Sequence, residues 1–538
     1  MMQSGKRLRK KTILTCGRLA LMAVGFFAFP FLGWSQSAPG KLELSSPYKM
    51  PGKSEEMQVV GLTGNEIILF RKRNVTAFTT KTKIHLERYD RSDMDLKNAQ
   101  EIVLRSGRQN LNFEKLLYLK GDLWLFSSFN NQAQEKNFLF KQKVSARSLT
   151  PSNRIEKMLE GPAYRDDPTE RTFDFVLSKD SSKVLIYNQF PTKRNTPEQF
   201  ALQIFDSSLE PIWSKNVVLP YPDNQFSIEE YQVDKEGNVY LLGILYVEGD
   251  DRRLRRDLNY RYVILAYRNQ GEEFIELDVD LRDKFITDLT FRVDNKGQLV
   301  CSGFYSERSV YGIKGSYFLR INPDTRELFF QNTKPFDFDF LTSDLSNRRR
   351  ERARRAEAEG DLSRSAELSN YQLTDLILRT DGGALLVAEQ FYVDRQSYFT
   401  WDGRIQDVFY YHYNDIIVVN IRPNGEVEWA TRIPKEQVTT NDGGYYSSFS
   451  MATVRDRLFF VYNGHGSNSG RGGGGSGSVL MLAEVRIDGS LSVYPLALRS
   501  DIGMPPRPKV FRQIGSREMM IYAEWGRNYR MGKLKFLL

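Results

Sequence analysis

Cysteine and histidine are nearly missing from this sequence: two cysteines and three histidines among 538 residues. Cys16 precedes an N-terminal apolar run, which leaves Cys301 alone in the remainder and excludes an internal disulfide framework there. Cys301 sits in the apolar stretch 299–304 and reads as a small core residue. His85, His412 and His465 lie far apart, and no HExxH or CxxC spacing occurs, so a zinc site has nothing to start from. The stretch 464–478, GHGSNSGRGGGGSGS, satisfies neither GxxxxGK[ST] nor GxSxG and follows a strand without opening a helix. It reads as a flexible loop. The acidic pairs Asp250/Asp251 and Asp337/Asp339 lack EF-hand spacing and read as solvated loop carboxylates. No cofactor and no metal is expected, and no catalytic residue can be named.

Long hydrophobic runs are also scarce. The one at 19–32 holds fourteen residues with Gly25 and Pro30 inside, short of the roughly 20 that span a bilayer. Lys6, Arg7, Arg9, Lys10 and Lys11 precede it, and Gly33 and Ser35 supply small residues for a cut before Gln36. That is the layout of a secretory signal, the alternative being an uncleaved anchor. No cysteine follows the run, so a lipoprotein signal is not expected. The formal charge of +9 shrinks with it: removing Arg18 and those five from the 76 basic residues leaves 70 against 67 acidic. So small an excess offers no electrostatic footprint for nucleic acid.

The whole chain is 41% hydrophobic, 13% aromatic and 27% charged, a globular composition. Its order is repetitive. Tight turns at 63–66, 120–122, 179–182, 235–238, 295–298, 380–383, 455–457 and 515–518 are each followed by an apolar β-rich run. Most place Gly, Asn or Asp where a hairpin needs positive φ. A second tight turn recurs at 206–208, 269–271, 322–324, 423–425 and 487–489. Four short strands per unit, at a period of about 55–60 residues, is the signature of an all-β propeller.

Eight four-stranded blades are expected, with seven as the alternative. The last unit offers three strands, near 510–514, 519–525 and 530–537, and the leftover segment 41–45 can supply the fourth. Closure of that kind removes an open sheet edge. The expected organisation is a signal peptide at 1–35 and one propeller at 36–538, with a helical inter-blade insertion at about 343–370.

In a propeller, connections between second and third strands share one face with connections between blades. Nearly all the long stretches here fall in those two classes: 192–199, 248–259, 306–315, 394–406, 464–478 and 335–370. Long insertions on one face mark a binding surface. The insertion at 347–360, NRRRERARRAEAEG, has helix-forming composition and a stop at Gly360. With few apolar residues it reads first as a solvated helix with mixed charge pairs. It reads second as a basic arm, led by Arg348, Arg349 and Arg350, for an acidic partner or lipid headgroup.

Blade six carries the densest aromatic and polar cluster: Phe391, Tyr392, Asp394, Arg395, Tyr398 and Trp401, then Phe409, Tyr410, Tyr411, His412 and Tyr413. Aromatics at loop margins stack on sugars or anchor a protein partner. Strand alternation points alternate members of 408–413 into the sheet interior instead.

Three segments, LILRTDGGALLVAEQFYVDR at 376–395, YYHYNDIIVVNIRPNGEVEWATRIPK at 410–435 and NDGGYYSSFS at 441–450, resemble exported β-propeller proteins of the Bacteroidota cell envelope. The resemblance implies fold and compartment and carries over no activity. Proteins sent onward by the type IX route usually end in a separate β-domain, whereas this chain ends at Leu538 within a propeller strand. The resemblance therefore implies the periplasm or an outer-membrane complex. The functional expectation is a non-enzymatic scaffold binding an envelope protein through the loop-rich face, with a carbohydrate-binding or carbohydrate-cleaving propeller as the alternative. A catalytic site assembled from separate blades around the axis stays open.

Overall fold

The computed structural model describes residues 38–538 apart from 50–55, 77–78, 165–172, 193–194, 247–259, 282, 310 and 466–477. The leader with its cut site and Cys16, the pair Asp250/Asp251 and most of the glycine-rich stretch lie outside the described residues.

Strands dominate. Eight antiparallel sheets follow one another along the chain: sheet 1 at 56–102, sheet 2 at 112–162, sheet 3 at 173–222, sheet 4 at 226–279, sheet 5 at 285–335, sheet 6 at 371–433, sheet 7 at 449–498 and sheet 8 at 512–536. In the first seven, four strands meander in chain order. Sheet 8 has three strands of its own and takes another from the far end of the chain. Gly40–Leu44 pairs with Asn528–Phe536, from Gly40 opposite Phe536 to Leu44 opposite Gly532, one residue from the segment expected to fill that place.

Turn chemistry explains the meanders. At the first tight turns of sheets 4 and 6, Gly237 and Gly382 take φ of +90° and +92°, where a Cβ would strain the backbone. The first strands of six sheets are bulged, at Val60, Glu114, Glu229, Thr287, Thr374 and Ile514. A bulge inserts one residue and re-aims the side chain that follows it.

The core is divided between neighbouring sheets. One cluster joins Phe70 and Leu86 of sheet 1 to Leu116 and Leu125 of sheet 2. Others join sheets 2 and 3, 3 and 4, 4 and 5, 5 and 6, and 6 and 7 in turn. The last runs from Phe459 of sheet 7 through Met519 and Ile521 of sheet 8 to Ile67 and Leu69 of sheet 1. Cys301 lies wholly buried between sheets 4 and 5, and burial pushes its thiol up, out of reach of easy ionisation.

The seam between sheets 8 and 1 is polar at its centre. Arg71, with no exposed surface, grips Glu87 through Nε and Nη2 at 3.0 and 2.9 Å, and its Nη1 donates to the Tyr522 hydroxyl at 2.8 Å. Tyr89 donates to Glu87 at 2.7 Å and meets the Tyr529 hydroxyl at 2.9 Å. Tyr522 passes the chain on to Glu524 at 2.8 Å. Burial alone would lower the Arg71 pKa, but Glu87, Tyr522 and Tyr89 together outweigh it and raise it well above the ordinary value.

Between sheets 5 and 6 the chain forms α1 (Phe338–Thr342) and α2 (Asn347–Ala358). Gly360, at φ +67°, follows the end of α2. The helix is not simply solvated, as its composition suggested. Ala353 and Ala356, three residues apart on one stripe, are 5% and 3% exposed, and Ala353 joins the core of Phe336, Leu341 and Leu368. Small side chains give the close approach that the missing large ones would have blocked.

Candidate binding surface

Sheet 6 has two strands of unusual length, Ala384–Phe399 and Ile405–Ile421. They pair inside the sheet as far as Glu389 opposite Ile416, then shift register at a bulge. Nine further pairs follow, from Phe391 opposite Tyr413 to Phe399 opposite Ile405. At about 3.3 Å per residue this arm extends roughly 30 Å along its strands. The expected loop at 394–406 is therefore strand, with only 400–404 left as turn. The physical reason is β-rich composition: Phe, Tyr and Val recur through the stretch, and a continuous ladder pairs the facing backbone groups of both strands.

Alternation sorts the arm into two faces. Tyr392, Asp394, Gln396 and Tyr398 share one with Tyr410 and His412. Tyr392 stacks on His412 with centroids 4.2 Å apart, Gln396 donates to Asp394 at 3.0 Å, and the Tyr398 and Tyr410 hydroxyls meet at 3.3 Å. Phe391, Val393, Arg395, Ser397 and Phe399 share the other face with Ile405, Asp407, Phe409, Tyr411 and Tyr413. There Arg395 and Ser397 both donate to Asp407 at 2.6 Å, and these two bonds hold its carboxyl below the usual range. No member of 408–413 is fully buried. The expected interior face is absent because the arm has already left the sheet.

The base of the arm is anchored and the apex is not. Val438–Thr440 pairs with the strand at 410–412, and Lys509 donates to the Tyr413 hydroxyl at 2.9 Å. Beneath it Lys435, buried, donates to Glu389 at 2.8 Å and to the Tyr413 carbonyl at 2.7 Å. Burial lowers the Lys435 pKa, and Glu389 opposes that. At the apex Trp401 is 99% exposed, Phe399 81% and Ile405 65%. Phe399 and Ile405 escape a reading confined to loop margins; Phe391, Val393 and Phe399 fall on one alternation, but Arg395 and Ser397 interrupt it, so the pattern marks the tip only weakly.

The arm leaves sheet 6 at the end where the helical insertion rejoins it. Phe391 N donates to the Asn370 carbonyl at 2.8 Å, and Gln390 reaches the Ser369 carbonyl at 3.1 Å. The connection at 306–314 is drawn in too, since Gly312–Ile313 pairs with Leu368–Ser369. On α2, Arg348 and Arg349 are exposed, while Arg350 is held by Asp339. No contact among the described residues joins these arginines to the arm.

A second polar cluster lies on the bulged first strands. Arg292 donates to Glu230 at 2.7 Å and to Asp375 at 3.3 Å, and Thr290 donates to Glu230 at 2.8 Å. Asp288 accepts the backbone N–H groups of Leu289 and Leu373, each at 2.9 Å. These carboxylates follow the bulges of sheets 4, 5 and 6, and Thr-Asp-Leu at both 287–289 and 374–376 is the trace they leave in the sequence. Their partners tie one sheet to the next. Among the described residues no group of three His, Cys, Asp or Glu is placed to hold a metal ion. No helix there is long and apolar enough to cross a membrane. An open cleft of about 670 Å³ lies elsewhere, between the outer strands of sheets 2 and 3 beside Met158, Phe205 and Trp213.

No family model and no curated protein matches the chain. Among solved structures it is similar to the WD40 domain of SCAP from fission yeast, at 9% identity and TM-score 0.38 over 93% of this chain and 95% of that one. It is similar also to the β-propeller domain of the Trilobed protease from Pyrococcus furiosus, at 11% identity and TM-score 0.30 over 74% and 99%. A protein of unknown function from Bacteroides caccae aligns at 8% identity and TM-score 0.26 over 65% and 90%. Likeness this distant carries no functional argument, and the propeller-like character of the chain rests on its own strand order and sheet-to-sheet cores.

Proposed function

We propose that the chain is a non-enzymatic, exported scaffold of the cell envelope, a closed eight-bladed propeller that binds a protein partner through one face. Closure is supported by the cores that pass from sheet to sheet and return from sheet 8 to sheet 1, and by the N-terminal strand in sheet 8. Export rests on the leader and its cut before Gln36. Residence in the periplasm or on an outer-membrane complex rests on the resemblance of 376–395, 410–435 and 441–450 to Bacteroidota envelope propellers.

The single observation carrying the binding role is that the anchored arm leaves sheet 6 beside Ser369 and Asn370, where the arginine-bearing insertion rejoins the sheet. Exposed Arg348 and Arg349 suit an acidic surface on the partner, and the tyrosines along the arm suit its apolar rim. A carbohydrate platform is less well supported, because Tyr392 spends one ring face on His412. The test is affinity purification of the tagged chain from crosslinked envelopes. A stoichiometric partner that is lost on deleting 347–360, or on shortening the arm to a tight turn after Tyr392, is expected. A monodisperse monomer with nothing enriched would sink the reading, and selective binding on a glycan array would replace it with the carbohydrate alternative.

A further inference from the structure

At one ladder position the repeat departs from its own pattern. In sheets 4, 5, 6 and 7 the third strand sets Leu265, Leu319, Val419 and Ala483 opposite Leu241, Cys301, Leu386 and Phe460 of the second strand. All eight are buried in the core shared with the preceding sheet. Sheet 3 has Gln203 at that place, opposite Ile186. Gln203 is 8% exposed, and its amide has no hydrogen-bond partner among the described residues. A buried amide without a partner is destabilising, and a ligand that bonds it recovers that free energy.

Gln203 lines the open cleft of about 670 Å³ between sheets 2 and 3, a volume within the range of ligand sites. Phe205 and Ile212 line the same wall, and Met158 and Leu159 of sheet 2 line the facing one. Lys141 and Glu156 stand opposite each other in the ladder of sheet 2 and also border the cleft. Their pairing is loose. Lys141 Nζ lies 4.0 Å from Glu156, although its side chain is only 15% exposed, and it donates to the Leu209 carbonyl at 3.4 Å. Glu156 sits closer to Arg154 Nε, at 2.8 Å.

The cleft therefore offers a mostly buried cation with a distant carboxylate, an amide that can both donate and accept, and apolar walls. A ligand answering all three has a carboxylate, a neighbouring amide and an apolar side chain. The last residue of a peptide carries these three groups on consecutive atoms.

We propose that this cleft binds the C-terminal end of a peptide with an apolar last residue. Lys141 takes the terminal carboxylate, Gln203 the last peptide group, and Met158, Phe205 and Ile212 the side chain. The site lies beside the tight turn at 206–208, whereas the arm and α2 serve the scaffold role, so either reading can fail alone.

The test is calorimetric titration of the chain with acetyl-Ala-Ala-Leu and, in parallel, with the same peptide as its C-terminal amide. The acid is expected to bind at least about tenfold more tightly than the amide, and Lys141→Met should bring the two together. Gln203→Leu installs the residue that sheet 5 carries there. It should weaken binding at least about tenfold with a melting temperature no lower than the parent's. Ile212→Ser, on the exposed rim of the wall, should weaken it as well. No binding of the acid, equal binding of acid and amide, or unchanged affinity in a folded Gln203→Leu overturns the proposal. Unchanged affinity in both Lys141→Met and Ile212→Ser overturns it whatever Gln203→Leu does to folding.

Discussion

Arg71 and Trp401 mark the two extremes a side chain can occupy in this protein, one with no exposed surface and one with 99%. Removing one member of a buried charge pair strands the other, at a cost of about 3–5 kcal/mol. Arg71→Met is therefore expected to lower unfolding free energy by about that much in urea titrations, because Glu87 loses both guanidinium bonds. Trp401→Ala should shift stability by less than about 0.5 kcal/mol, so any loss of binding in that variant reports on contact rather than folding. Gly303 illustrates a third constraint. A Cβ there would lie 2.0 Å from the Asp288 carbonyl oxygen, a backbone atom with no freedom to retreat. Gly303→Ala should cost about 1–3 kcal/mol, measured the same way, and should loosen sheet 5 where Asp288 ties it to Leu373.

At the scale of an element, the arm has a built-in pH response through His412. Burial against Tyr392 holds the imidazole below its ordinary pKa of 6.5, more strongly than Asp394 and Glu436 raise it. The unfolded arm then binds the proton more tightly than the folded one. Its stability is full above the ordinary pKa and falls as pH drops through 6.5 toward the folded value. Amide protection factors at Val438–Thr440, which pairs with the His412 strand, should decrease as the solution is taken from about pH 7 to about pH 5.5. His412→Phe should flatten that dependence. A helix built on arginine and alanine behaves differently: Ala353 carries its contact with the core of sheets 5 and 6, so Ala353→Glu is expected to lift α2 and raise the rate of proteolytic cleavage within the insertion.

For the molecule as a whole, the strand Gly40–Leu44 decides whether sheet 8 keeps an unpaired edge. A chain beginning after Lys49 would leave the strand Asn528–Phe536 with its outer N–H and C=O groups unpaired, next to the seam that Arg71 and Tyr522 hold. A lower melting temperature and concentration-dependent association in light scattering are expected. A truncated chain that stays monomeric with an unchanged melting temperature would show that the seam, rather than the strand, holds sheet 8 against sheet 1.

The repeat of turn and apolar run by itself determined the strand order, the tight turns, the burial of Cys301 and the helix ending before Gly360, because each depends on residues close in sequence. The crowding of aromatics at 391–413 was equally legible. Only the tertiary structure decided that 394–406 continues as a ladder, since a strand is stabilised by a partner whose register lies outside the segment. It also decided which aromatics face each other, as His412 meets Tyr392 only once that register is set. The ties of Arg292 to Glu230 and Asp375, and of Arg71 to Tyr522, join residues 62, 83 and 451 positions apart. Local composition holds no record of such pairs, because what makes each favourable is the loss of water as separate sheets close over it.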